Sequence, residues 1–224
     1  VDGVNFTVPR GKTFGLVGES GSGKTTTALA VMRLVHITDG QVFLGDIDIG
    51  GLEGEDLRRQ RRHMQIIFQD PYSSLNPRVR AGDIVREPLD QMEVGEVASR
   101  DERVGELFRL VGLRPEQQAL FPHQFSGGQR QRVGIARALA SQPDLIVCDE
   151  PVSALDVAIQ AQILNLLRAL QDEFGLTYLF ISHDLGVVQY MCDEIAVMYL
   201  GQIVEHADRI SLFTEPLHPY TWAL

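Results

Sequence analysis

Apolar positions recur along this chain in two alternating rhythms, short continuous runs and three-to-four-residue helical spacings. Thr13–Val17 is a short apolar run, followed by a glycine-rich turn and the helical stretch Thr25–Val35. Val42, Leu44, Ile47 and Ile49 alternate around Gly45-Asp46, which predicts a hairpin. Met64–Phe68 is a further strand, and the following loop to Arg78 is rich in Pro, Ser and Asn. Between Asp83 and Gln118 the spacing turns helical, with Ile84, Val85, Leu89, Val104, Leu107, Phe108 and Val111 on apolar faces until Gly112 and Pro115 break it. A helix from Gly128 to Ala140 runs towards Pro143, and Asp144–Glu150 is an apolar strand closed by two carboxylates, the pattern of a buried parallel strand. Helix Ile159–Phe174 and strand Thr177–Asp184 complete a βαβ unit. Glu194–His206 reads as a hairpin around Gly201. The opening Val1–Pro9 alternates like a strand with no partner before it, and Pro219–Leu224 reads as the start of a helix, so a fragment of a longer protein is expected. The predicted class is α/β, a mostly parallel sheet with an antiparallel β part and a helical insertion. The expected division is one domain over 1–224, with a core of 1–71 and 136–224 and a helical subdomain at 72–135.

Charge narrows the function. With 20 basic and 30 acidic side chains the net charge is −10. That argues against a nucleic-acid binder, which needs a basic face, although Arg58, Arg59, Arg61 and Arg62 form a local patch. Two cysteines, Cys148 and Cys192, cannot make a disulfide scaffold or a zinc ribbon, and a reducing compartment is the simpler reading. No apolar run reaches the roughly 20 residues of a membrane span, and no apolar leader opens the chain. A cytoplasmic location without a transmembrane segment is expected.

The chemistry sits in three turns. Gly18-Glu19-Ser20-Gly21-Ser22-Gly23-Lys24-Thr25 matches G-x-x-x-x-G-K-[ST] in full, between a strand and a helix, with Thr26 next. Its glycines let backbone N–H groups turn in around phosphate oxygens, where the helix adds its positive end. Lys24 is expected to reach the β/γ-phosphates and the Thr25 hydroxyl to bind Mg²⁺. Asp149 and Glu150 end a parallel strand on the ligand side of the sheet, so Asp149 suits the magnesium shell. Glu150, directed the other way by strand alternation, suits polarisation of an attacking water; it also fits an ordinary charge at a helix start before Pro151. Ser126 and Gln129 fit a capping box, which by itself explains that turn. Gly127 and Gly128 between them are not needed for capping, and they suggest close approach of a second phosphate, from the nucleotide of another copy.

With these elements in this order the sequence resembles the ATP-binding cassette ATPases over essentially its full length. Phe125–Gln129 is close to that family's LSGGQ signature, with Phe for Leu. Gln69 matches the Q-loop glutamine, a ligand of Mg²⁺ and water that senses the transport partner. Ser153-Ala154-Leu155-Asp156 matches the D-loop, which crosses to the other subunit, and His183 matches the switch histidine at the γ-phosphate. The resemblance implies a P-loop NTPase core, MgATP as substrate, and head-to-tail cassette dimers that share two ATP sites. The stacking aromatic for adenine is expected upstream of this sequence, since Phe6 reads as a core residue.

Ile67–Arg78 and Leu212–Thr221 resemble the oligopeptide, dipeptide and nickel importer branch. This implies a second ATPase subunit, transmembrane permease subunits docked near the helical insertion, and indirectly a solute-binding protein. It places the chain at the cytoplasmic face of the membrane. A P-loop kinase or GTPase has no use for the Ser126–Gln129 turn or His183. A ribosome- or chromosome-clamping cassette remains the rival from another class, separable by whether permease genes lie beside a single cassette.

Overall fold

The computed structural model describes residues 1–70 and 72–224; Pro71, within the loop quoted above, lies outside the described residues. Strand β1 (Thr13–Val17) leads through the glycine-rich turn into α1 (Lys24–Val31). Strands β2 (Phe43–Leu44) and β3 (Ile47–Asp48) form the small antiparallel hairpin, and α2 (Gly54–Arg61) precedes β4 (Met64–Ile67). Helices α3 (Ala81–Gln91), α4 (Arg100–Leu110) and α5 (Gly127–Ala140) follow. The chain then alternates through β5 (Leu145–Asp149), α6 (Val157–Phe174), β6 (Thr177–Ser182), α7 (Leu185–Met191) and β7 (Glu194–Tyr199). It ends with β8 (Gln202–Asp208), α8 (Arg209–Thr214) and α9 (Pro219–Ala223).

Six strands pair in the order β4-β5-β6-β1-β7-β8, parallel except for the β7–β8 hairpin. The central strands β1, β5 and β6 are buried along their whole length because both faces of the sheet are covered. Side-chain alternation divides the core in two. Ile146, Cys148, Tyr178, Phe180, Ile195 and Val197 face the layer that includes α3 to α7. Leu145, Val147, Leu179, Ile181, Ala196 and Met198 face α1 and the segment before β1.

The opening segment departs from expectation. Val4, Phe6 and Val8 are half-buried and their neighbours exposed, yet Val1–Pro9 forms no strand. The alternation records burial on one side of an extended chain, with Phe6 stacked on Phe14 at 5.0 Å, and not pairing. Phe68 lies just beyond β4, and the helical stretch around 83–118 is two helices followed by a 3-10 turn at Pro115–Ala119.

Candidate functional site

The register of the parallel strands fixes which side chains meet. Val17 pairs with Ser182, Asp149 with Ile181, and Ile67 with Cys148. Extending these rows past the strand ends sets Gly18 beside His183 and Gln69 beside Glu150. The carboxyl ends of four adjacent strands therefore deliver the phosphate loop, Gln69, the two carboxylates and His183 to one edge of the sheet.

In the phosphate loop Gly18, Gly21 and Gly23 have φ of 150°, 82° and 107°, and a Cβ on Gly18 would stand 2.2 Å from the Met198 carbonyl oxygen. Only glycine fits there. Lys24 is buried, and its Nζ donates to the carbonyls of Gly18 (2.7 Å) and Glu19 (2.8 Å). Burial pushes the Lys24 ammonium down, against the opposing charges of Glu150 and Asp149. Among the described residues no acceptor pairs with the backbone N–H of Gly23, Lys24, Thr25 or Thr26, the positive end of α1. Glu19 and Ser20 lie at the exposed rim, and Ser22 is buried.

Asp149 shares the face of β5 that looks towards α1, and its Oδ1 accepts from the Thr25 hydroxyl at 3.3 Å. Burial pushes its carboxyl up, partly offset by that hydrogen bond. Glu150 is not part of the strand: its φ is 48°, a left-handed turn in which its N–H still donates to Ile181 O at 3.0 Å. The two carboxylates do diverge, but the turn separates them and not strand alternation. Glu150 Oε2 accepts from Gln69 Nε2 at 3.0 Å and lies 3.1 Å from His183 Nδ1. Asp184 fixes the next helix by accepting from the N–H groups of Gly186 and Val187.

The second glycine turn stands apart. Ser126 Oγ accepts from Gln129 N–H (3.3 Å) and Gln129 Oε1 from Ser126 N–H (3.0 Å), the expected capping box. No hydrogen bond among the described residues joins it to the phosphate loop. Gly128 has an internal cause that the sequence did not reveal, since a Cβ there would stand 2.5 Å from Ile159 Cγ2; one on Gly127 would stand 3.3 Å from Leu155 Cδ2, which that leucine can absorb. Asp156 begins α6 without capping it and is exposed, as is Val157 at 82%.

The ABC transporter family matches residues 1–153 of this chain. The chain belongs to that family. It is 54% identical over its full length to the putative peptide import ATP-binding protein of Brucella ovis, covering 71% of that protein. To the oligopeptide transport ATP-binding protein AppF of Bacillus subtilis it is 52% identical, covering 68%. Among solved structures, the ATP-binding cassette MJ0796, dimeric and bound to ADP and Pi, matches 92% of this chain and 89% of its own at 32% identity and a TM-score of 0.81. Clostridium perfringens cbiO1, part of the ABC transporter complex cbiONQ, matches 95% and 83% at 26% identity and a TM-score of 0.85. This ABC cassette is an ATPase with the P-loop NTPase fold. No helix among its described residues is long and apolar enough to cross a membrane.

Two supports of the cassette's site escaped the sequence. Arg130 of α5 lies 3.8 Å over the Tyr72 ring and Arg137 donates to Ser74 O at 2.7 Å, so the signature helix holds the arm of the loop after Gln69. The β7–β8 hairpin and the tail brace the phosphate loop from outside. These contacts bridge residues that neither periodicity nor motif spacing links.

Proposed function

We propose that this cassette powers the uptake of oligopeptides, dipeptides or a related small solute through a separate membrane permease, with MgATP hydrolysed at sites shared by two cassettes. The convergence of Gln69 and His183 on one oxygen of Glu150, beside the Thr25–Asp149 pair, carries this reading.

Thr25 and Asp149 present two adjacent hard oxygens, which suits Mg²⁺ because that ion keeps water and phosphate ligands around one or two protein groups. Bound there with Gln69 near, it would neutralise charge developing on the phosphates. Lys24 and the free N–H groups of Gly23 to Thr26 would hold the phosphate oxygens, with Gly18 to Ser22 completing the loop. Glu150 would orient the attacking water and His183 the γ-phosphate, so that catalysis is positioning and electrostatics. Ser126, Gly127, Gly128, Gln129 and Asp156 would serve the nucleotide on a second cassette, which fits their separation from this chain's own loop. The core of 1–71 and 136–224 and the helical part of 72–135 would be the two working pieces, the second meeting the permease at the cytoplasmic face. The names of the peptide-import relatives support the solute class.

Two variants test the chemistry. Lys24→Ala should lose nucleotide binding. Glu150→Gln should bind ATP within a few-fold of wild type while turnover falls roughly 10²- to 10⁴-fold, the usual scale of a positioned acid–base group. Normal hydrolysis by Glu150→Gln would refute its role. Deletion of the gene should abolish uptake of labelled di- to oligopeptides, and unchanged uptake would refute the solute class.

A further inference from the structure

The tail stretch Leu212–Thr221 has no task in the ATP chemistry derived above, yet it touches the phosphate loop. Contacts from β7, from the β7–β8 turn and from the tail brace that loop from outside. Gly201 N–H donates to Ser22 O at 2.9 Å, and the Met198 carbonyl abuts Gly18. The tail supplies a side-chain hydrogen bond: the Tyr220 hydroxyl accepts from Glu19 N–H at 3.0 Å. This N–H belongs to the Gly18–Glu19 peptide, whose carbonyl oxygen accepts from Lys24 Nζ at 2.7 Å. One peptide plane is thus held at both poles, by Tyr220 on its N–H and by Lys24 on its oxygen. Hydrogen bonds in such a series polarise and strengthen one another.

Tyr220 is itself held in place. Glu205 on β8 accepts from the N–H groups of Leu217 (2.7 Å) and His218 (2.9 Å). His218 Nδ1 accepts from Tyr220 N–H at 3.1 Å. The Tyr220 ring packs on Tyr199, the last residue of β7, at 4.3 Å between centroids.

We propose that Tyr220 is a positioning residue for ATP: its hydroxyl pins the Gly18–Glu19 peptide so that Lys24 and the loop N–H groups stay aligned for phosphate. This rests on the reading that ATP phosphates occupy the loop. When Lys24 turns from its carbonyl partners to a phosphate, Tyr220 keeps the peptide from rotating after it. The coupling is reciprocal, so ATP in the loop also tightens the seating of the tail.

The test is MgATP titration of the full-length protein carrying Tyr220→Phe, which removes the hydroxyl and keeps the ring on Tyr199. ATP affinity should fall roughly three- to ten-fold, the scale of one net hydrogen bond. KM should rise in step while kcat at saturation stays within two-fold, a split that general destabilisation would not produce. The thermal midpoint reports folding independently. Tyr199→Phe, whose hydroxyl makes no hydrogen bond to the loop among the described residues, should bind like wild type. Addition of MgATP should shift the emission of Trp222, two residues along α9 and the single tryptophan of the chain, in wild type but much less in Tyr220→Phe. A Tyr220→Phe protein with wild-type ATP affinity and KM overturns the proposal. Wild-type protein that fails to bind MgATP, or Lys24→Ala protein that binds as well as wild type, overturns the underlying reading of the loop instead.

Discussion

A methyl group added to Gly128 would lie 2.5 Å from Ile159 Cγ2, a β-branched atom with little freedom to withdraw. Gly128→Ala should therefore destabilise the fold by about 1 kcal/mol, overpacking of about 1–3 kcal/mol exceeding the helix-propensity gain of about 1. With Ile159→Ala already in place, the same change should become stabilising, and urea unfolding of the four-member cycle would show the reversal of sign. ATP turnover should stay low in the double variant, because repacking does not restore a bare backbone for the phosphate of a second cassette. Recovery of turnover with stability would make the glycine a packing device alone. The residue pattern singles out Gly128 for phosphate approach and is silent on its packing, since nothing in the spacing places Ile159 thirty-one positions later against it. Glu150 is a similar case: its selection as a candidate site carboxylate follows from the apolar strand it succeeds, whereas its left-handed φ of 48° leaves no trace in the residue types around it.

At the scale of elements, α8 and α9 are short helices whose attachment depends on carboxylates. Burial pushes the Glu205 carboxyl up, but the N–H groups of Leu217 and His218 outweigh it and hold it below its ordinary 4.5. The Ser211 hydroxyl and N–H hold Asp208, the cap of α8, below its ordinary 3.8. A folded pKa below the unfolded one gives stability that is fully present above the ordinary value and is lost as pH falls through the depressed one. His218 faces Glu205 from the tail and Arg209 lies at the start of α8, so neither end of this attachment is held by Glu205 alone. Emission from Trp222, 72% exposed on α9, should change as pH falls below 4.5. In Glu205→Gln the remaining change should move to the lower range of Asp208. A single transition shared with far-UV circular dichroism in both proteins would show that the tail unfolds only with the whole chain. The sequence shows α9, through Pro219 after His218, but not what it rests on. Val1–Pro9 is the converse, where a true alternation of burial looks like a strand because the pattern is blind to hydrogen-bond partners. Long elements with both faces covered, β5, β6 and α6, were legible because burial there follows the chain's own period.

For the whole molecule, the separation of the two glycine turns is decisive. One edge of the sheet collects Lys24, Thr25, Gln69, Asp149, Glu150 and His183, while Ser126–Gln129 and Asp156 stand at the starts of α5 and α6, without a hydrogen bond to the phosphate loop among the described residues and with Ser126 and Asp156 exposed. If both sets act on ATP, two copies must meet around it. Each chain carries a net charge of −10, so two copies repel until nucleotide contacts outweigh that charge, and the dimer should depend on both MgATP and ionic strength. Light scattering on Glu150→Gln, which should retain ATP, is expected to read one chain mass, 24.9 kDa for this sequence plus any further residues of the full-length protein, without nucleotide. With MgATP it should read twice that mass, with more dimer at 0.15 M salt than at 0.01 M as the Debye length shrinks from about 30 to about 8 Å. Removing Mg²⁺ should return the monomer, because the ATP charge would then add to the repulsion. A chain that binds MgATP with wild-type affinity and stays monomeric at both salt concentrations would show that its Ser126–Gln129 turn is a helix cap and that two cassettes do not close on ATP by themselves.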